Sequence, residues 1–152
     1  TGLKINNSVL NSISLLDGKL IGAKFVDLEL NGVNFSGSDI TQSNFSNSIM
    51  KNSKLIQTNL SSVDLSNTNL NGSDLSNSSF NDTLIRNANF SDANLTGINF
   101  SKNIDLRLIN FIGADLSFAT IENEVITIDD LASSTLCGTT TPWGIDNSDC
   151  DI

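Results

Sequence analysis

A large apolar residue occurs at every fifth position along almost the whole chain. Counting by fives from Ile5, every such position up to Phe100 is apolar, and after one extra residue the count resumes at Leu106 and runs to Ile121. These positions, called centres below, number twenty before the extra residue and four after it. A period of five matches neither the α-helix nor the β-strand. The pattern therefore predicts a chain that turns a corner every five residues and points each centre inward.

The residues around each centre also follow a rule. The residue two places before it is usually small, which indicates a second inward position against closely packed backbone. The residue just before it is usually Asn or Asp, which favour turns because their side chains bond nearby backbone groups. Ser or Thr often follows the centre, and the fifth position carries no evident rule.

This five-residue unit resembles the repeat of the pentapeptide-repeat family over about residues 3 to 123, with clear copies at Ala88–Asp92, Ala93–Gly97 and Ala114–Phe118. The resemblance implies an all-β fold, a right-handed quadrilateral β-helix with four pentads per coil and about six coils. Centres about twenty residues apart should then stack. The expected aromatic pairs are Phe25 with Phe45, Phe80 with Phe100, and Phe90 with Phe111.

The pattern divides the chain into a repeat domain, residues 1–123, and a C-terminal cap, residues 124–152. Asp129 and Asp130 predict the start of a short helix in the cap, because acids are favoured at helix N-termini. Leu84 stands where Asn or Asp is usual, so we expect it to face outward. The extra residue among Ser101 to Ile104 predicts a bulge.

Composition and charge exclude several functions. The chain has 22 Asn and 22 Ser, a bias typical of disorder, but a disordered chain has no reason to keep its centres in register. A net charge of −9 without a basic stripe argues against nucleic-acid binding, and no apolar run is long enough for membrane insertion. Residues 122–152 hold seven acids and no base, which indicates either a solvated tail or an acidic interaction face for a basic partner. The residues of that candidate face are Glu122, Glu124, Asp129 and Asp130.

Cys137 and Cys150 are the only cysteines, and both lie in the irregular C-terminal segment. They predict one structural disulfide and hence an oxidising compartment. The spacing is not that of a redox motif, and the absence of His argues against a metal site. The run from Leu136 to Thr140 is similar to the tails of exported cyanobacterial and thylakoid-lumen family members, which implies the thylakoid lumen or the periplasm. Because the chain begins at Thr1 in mid-pattern, we also expect a removed upstream segment.

Catalytic groups are scarce, since the chain has no His or Tyr and only three Glu. We therefore expect no enzyme activity and no cofactor. The leading hypothesis is an exported, rigid solenoid that binds or scaffolds a protein partner, as a monomer or a weak end-to-end dimer. Resemblance to the family also suggests a DNA mimic that inhibits a type II topoisomerase, although those inhibitors are longer, dimeric and cytosolic. A structural part of a larger chain is the third hypothesis.

Overall fold

Parallel β-bridges join residues twenty positions apart throughout the solenoid. The structure, a computed structural model, describes residues 9–100, 103–122 and 125–150. Each bridging residue of the repeats directly precedes a centre, so a pentad contributes one short bridge rather than a long strand, with Asp105 as an exception. The bridges form four columns, which begin at Val9–Glu29, Ser14–Asn34, Lys19–Asp39 and Lys24–Asn44. After the extra residue the spacing becomes 21, as in Asn89–Asn110 and Asn94–Asp115, and then returns to 20 at Asp115–Thr135.

Each corner of the solenoid is a tight turn that begins at a centre. The N–H of the residue three places on donates to the carbonyl of the centre, as from Gly18 to Leu15 at 3.0 Å. The residue two places after the centre has a positive φ, which together with that bond defines a type II turn. Of the twenty-one such residues from Ser12 to Phe118, fifteen are Gly, Asn or Asp, which tolerate this conformation best. The fifth position of the repeat therefore does carry a rule, which the sequence analysis missed.

The centres form one continuous core along the axis. From Phe25 to Ile121 they are all buried, whereas Leu10, Leu15 and Leu20 in the first described coil are only partly buried. The three predicted aromatic pairs are confirmed, with ring centroids 4.7 Å apart for Phe25–Phe45, 5.4 Å for Phe80–Phe100 and 6.1 Å for Phe90–Phe111. The rings of the first and third pairs are near parallel, but Phe80 and Phe100 meet edge to face.

The small position of the repeat is buried, and its hydroxyls bond the backbone of the coil before. Ser73 Oγ donates to the Met50 carbonyl at 2.7 Å and accepts from the Ser53 N–H at 3.1 Å. Thr58 and Thr68 make the corresponding bonds to the carbonyls of Phe35 and Phe45. Ser and Thr therefore fit this position because they satisfy backbone groups that the core wall would otherwise bury unpaired.

The C-terminal segment adds a small sheet and one short helix. The strands are β1, Asn99–Phe100, β2, Thr120–Ile121, β3, Thr139–Thr141, and β4, Gly144–Asp146. They lie in the order β1-β2-β3-β4, parallel up to β3, with β4 antiparallel at the edge. The helix α1, Ile128–Leu131, begins one residue before the predicted start at Asp129, and Thr127 is its N-cap. No helix among the described residues has the length and hydrophobicity needed to cross a membrane.

The stacking register continues past residue 123. Thr135 pairs with Asp115, Thr140 pairs with Thr120, and the buried residues Ile126, Leu131 and Leu136 keep the five-residue spacing from Ile121. The boundary between residues 123 and 124 therefore stays a prediction, because the C-terminal segment stacks on the repeats with the same geometry.

Candidate functional site

Two of the acidic residues singled out from the sequence, Asp129 and Asp130, lie in the first turn of α1. Glu122, Asp129 and Asp130 are exposed, while Glu124 lies outside the described residues. Asp130 has a structural role, since its Oδ2 accepts from the Thr127 N–H at 2.8 Å and from the Thr127 hydroxyl at 2.7 Å. Asp129 is also exposed, and it lies in the first turn of α1, where an acidic side chain is favoured.

A disulfide joins Cys137 to Cys150, whose Cα atoms lie 4.7 Å apart. Two side chains within the closed loop fasten it further. Asp149 Oδ2 accepts from the Leu136 N–H at 2.9 Å, and Asn147 Oδ1 accepts from the Gly138 N–H at 3.1 Å. The hydroxyl and N–H of Ser148 bond Asp146 and lower the pKa of that carboxyl. The disulfide and these hydrogen bonds therefore hold the loop against the C-terminal end of the described solenoid.

Two clefts open where the extra residue interrupts the repeat. The smaller cleft, of about 400 Å³, is lined by Leu84 and Asp105 among other residues. The larger cleft, of about 520 Å³, is lined by Asp105 and Val125 among others. Arg86 lines both clefts. Asp105 also lines both clefts, so the two adjoin at the segment that carries it.

The clefts have a backbone cause. In the coil before the clefts, the backbone N–H of Leu65 donates to the carbonyl of Leu84 at 2.7 Å. The N–H of Asn67 likewise donates to the carbonyl of Arg86 at 2.9 Å. In the described part of the chain, no such bond joins Ile85 to Asp105 or Asn87 to Arg107 one coil further on. The adjacent side of the same two coils stays paired through Asn89–Asn110. The extra residue thus coincides with a loss of backbone pairing at Asp105 and Arg107, while the next pair, Asn89–Asn110, keeps its bridge.

An ion pair occupies the segment between the clefts. Arg107 Nε and Nη2 donate to Asp105 Oδ1 and Oδ2, both at 2.8 Å. These bonds, with one from the Arg107 N–H, lower the pKa of Asp105 to about 2 and raise that of Arg107. Asp105 is therefore ionised at neutral pH and a poor general base. Arg86 makes no ion pair within 4 Å in the part of the chain that the structure describes.

Exposed apolar side chains line the clefts at Leu84, Leu108 and Val125, and Ile128 lies two residues beyond Ile126 of the larger cleft. Leu84, Leu108, Val125 and Ile128 are 59%, 76%, 59% and 60% exposed. The outward position of Leu84 is thereby confirmed. The sequence analysis noted Leu84 and the extra residue separately but missed the cluster, because the outward positions of neighbouring coils lie about twenty residues apart. The one available signal was the loss of Asn and Asp at several outward positions after residue 80.

Few arrangements with catalytic or metal-binding potential are present. Among the described residues, no group of three or more His, Cys, Asp or Glu side chains is placed to hold a metal ion. Most repeat aspartates bond the backbone two residues on, as Asp64 Oδ1 does with the Ser66 N–H at 2.9 Å. The outer surface offers hydrogen-bonding groups, charges and apolar patches for contact with another molecule.

The chain belongs to the pentapeptide-repeat family. The family model "Pentapeptide repeats" matches in eight copies that together span residues 17–101. Proteins of this family form right-handed β-helices and are generally non-enzymatic structural or binding proteins. No curated protein sequence matches the chain.

Three solved structures illustrate the similarity. HetL, a protein involved in heterocyst differentiation regulation from the cyanobacterium Nostoc sp. strain PCC 7120, is 23% identical with a TM-score of 0.76, over 95% of this chain and 70% of HetL. A pentapeptide-repeat protein of the Arabidopsis thaliana thylakoid lumen is 26% identical with a TM-score of 0.44, over 64% of each chain. QnrB1, a plasmid-mediated fluoroquinolone resistance protein, is 19% identical with a TM-score of 0.44, over 93% of this chain and 84% of QnrB1. Of the three, the similarity to HetL supports the fold.

Proposed function

We propose that the protein is a non-enzymatic, rigid solenoid that binds or scaffolds a protein partner. The observation that carries this proposal is the stacked backbone, in which columns of bridges and buried hydroxyls fix the outward side chains at regular intervals. A surface of this kind contributes little ordering cost to binding, because it is organised before the partner arrives. We further propose that the cross-section is four-sided, with about six coils, in keeping with four columns of bridges at a spacing of twenty.

The acidic face is the proposed contact with a basic partner. Glu122, Asp129 and Asp130 are each exposed, and Glu124 lies close to them in the sequence. The seven acids of residues 122–152 have no basic residue among them, so the field at this end of the chain is negative. Complementary charge would speed encounter with a basic partner and select against acidic ones.

Neutralising the face tests this proposal. A variant with Glu122→Gln, Glu124→Gln, Asp129→Asn and Asp130→Asn should recover a partner from an extract of the native source less well than the parent protein. The matched control changes Asp17, Asp27, Asp82 and Asp92 to Asn, which removes the same charge from turn positions with positive φ that accept Asn. Equal recovery by parent, variant and control would refute the acidic face as the contact.

We also propose that the protein is exported to an oxidising compartment, the thylakoid lumen or the periplasm. The disulfide between Cys137 and Cys150 supports this, because such bonds persist mainly in oxidising compartments. Fractionation of the native source, followed by detection of the protein in the envelope or lumenal fraction, tests the location. Detection in the cytosol with both thiols free would overturn it.

The second candidate function is a DNA mimic that inhibits a type II topoisomerase. The net charge of −9 on an elongated solenoid favours it. Concentration of the acids near one end favours the first candidate instead, because DNA presents its charge evenly along its length. A supercoiling assay with purified gyrase distinguishes the two, and unchanged gyrase activity at micromolar protein would eliminate the second candidate.

A further inference from the structure

The surface around the two clefts combines features that folding does not explain. We define the cleft face as Leu84, Arg86, Arg107, Leu108, Val125 and Ile128. Leu108 has a φ of 61° at a turn position where most coils use Gly, Asn or Asp. Any residue with a Cβ atom is strained in this conformation, because Cβ approaches the following carbonyl oxygen. Leu108 is also the most exposed of the large hydrophobic residues described, so burial does not compensate for that strain.

The same corner is built differently in the preceding coils. Asn67 donates from Nδ2 to Asn47 Oδ1, and Asn87 donates in the same way to Asn67 Oδ1, each at 3.0 Å. Leu108 occupies the equivalent turn position in the next coil and ends this chain of side-chain bonds. The substitution of an exposed Leu for a bonded Asn weakens the isolated solenoid, and it is explained if Leu108 is covered by another molecule.

The charges around the larger cleft bear on which kind of molecule would fit this face. Around the larger cleft, Arg86 and Arg107 are balanced by Asp105 and Asp130, so the surface is locally neutral in a chain of net charge −9. A wholly acidic or wholly basic partner would meet as many like charges as opposite ones. The charges are instead ordered along the axis, with Arg86 in the lower coil, the Asp105–Arg107 pair in the middle coil and the acids of α1 in the upper coil.

We propose that the cleft face binds a second copy of this chain, side by side and antiparallel. A two-fold axis through the middle coil would place Arg86 of each copy opposite the α1 acids of the other. The two Asp105–Arg107 pairs would then meet head to tail, with alternating charges. Leu84 would face Val125 and Ile128 across the same axis. The surface is thus self-complementary, as a two-fold interface requires.

This inference goes beyond the proposed function and differs from an end-to-end dimer. An antiparallel pair leaves both ends of each solenoid open, and it joins two copies through their sides. A failure to capture any other protein would leave it standing, and a failure to dimerise would leave the proposed function standing.

Sedimentation of the purified protein from about 1 µM to about 1 mM tests the association. We expect a monomer–dimer equilibrium, and Leu108→Asn should raise the dissociation constant at least about tenfold, as for a residue at the centre of an interface. Phe118→Asn is the matched control, because Phe118 is also exposed with positive φ but lies at another corner. A protein that stays monomeric throughout, or a dimer that Leu108→Asn leaves unchanged, would overturn the proposal.

Two further experiments test the antiparallel arrangement. Leu108→Cys lies in the coil through which the two-fold axis passes, so mild oxidation should link two copies, whereas Phe118→Cys should not. Arg86→Asp and Asp129→Arg should each weaken the dimer, and the two together in one chain should restore it, because each copy then regains opposite charges. Linking by both cysteine variants alike, or no recovery in the double variant, would refute this geometry.

Discussion

Replacement of Phe45 by Ala should destabilise the solenoid strongly. Phe45 is fully buried, stacks on Phe25 at 4.7 Å and meets the edge of Phe35 at 5.4 Å. Truncation of a buried Phe to Ala costs about 3–5 kcal/mol, and the loss of two ring contacts places Phe45 toward the upper end of that range. For a domain of this size, a cost of about 4–5 kcal/mol lowers Tm by roughly 8–20 °C.

Urea denaturation followed by circular dichroism measures this cost. Phe118→Ala provides the control, because Phe118 is 65% exposed and should change the free energy of unfolding by about 0.5 kcal/mol or less. A double-mutant cycle between Phe25 and Phe45 should give a coupling of about 0.5–1.5 kcal/mol, whereas Phe25 and Phe90, which share no ring contact, should show none. If Phe45→Ala and Phe118→Ala lower the free energy of unfolding by the same amount, burial and ring stacking at Phe45 do not stabilise the solenoid.

Two other predictions concern the ion pair and the disulfide. The Asp105 carboxyl should titrate near pH 2 in an NMR pH series, and Arg107→Gln should return its pKa toward 3.8. Since the pKa of Asp105 in the folded state lies below its unfolded value, any stability from this pair is present above about pH 4 and is lost as the pH falls toward 2. Both side chains are at least partly exposed, so added salt should weaken the pair. Reduction of the Cys137–Cys150 bond, which closes a loop across a separation of 13 residues, should lower the free energy of unfolding by up to about 3 kcal/mol. Alkylation before and after reduction should label no thiols and then two, and labelling without reduction would contradict the bond.

The sequence was sufficient to predict the repeat architecture for a local reason. Each pentad contains the residues that determine its own conformation. These are an inward centre, a small residue two places before it, and an Asn or Asp whose side chain bonds the backbone of the turn. The bonds from the Asn34 and Asp64 side chains to the N–H groups two residues on show this directly. Because contacts in a solenoid join only neighbouring coils, a fixed period along the chain becomes a fixed stacking in space, and Phe25 meets Phe45 as predicted.

Ring orientations and turn conformations were harder to predict, because they depend on how neighbouring coils are spaced and on the backbone geometry of each corner. The edge-to-face contact of Phe80 with Phe100 depends on how the coils are spaced beside the extra residue. The positive φ at the fifth position was visible as an excess of Gly, Asn and Asp, but it became a rule only when the turns were seen.

The sequence by itself determined the inward centres, the outward turns, the cysteine pair and the acidic C-terminal segment. Only the tertiary structure decided that Leu84, Asp105 and Val125 line two adjoining clefts. The physical reason is that one extra residue has no fixed local consequence. Its strain can be spread around the coil or concentrated on one side, and the balance between backbone pairing and core packing across several coils decides which. Here the pairing holds at Asn89–Asn110 and is absent between Ile85 and Asp105.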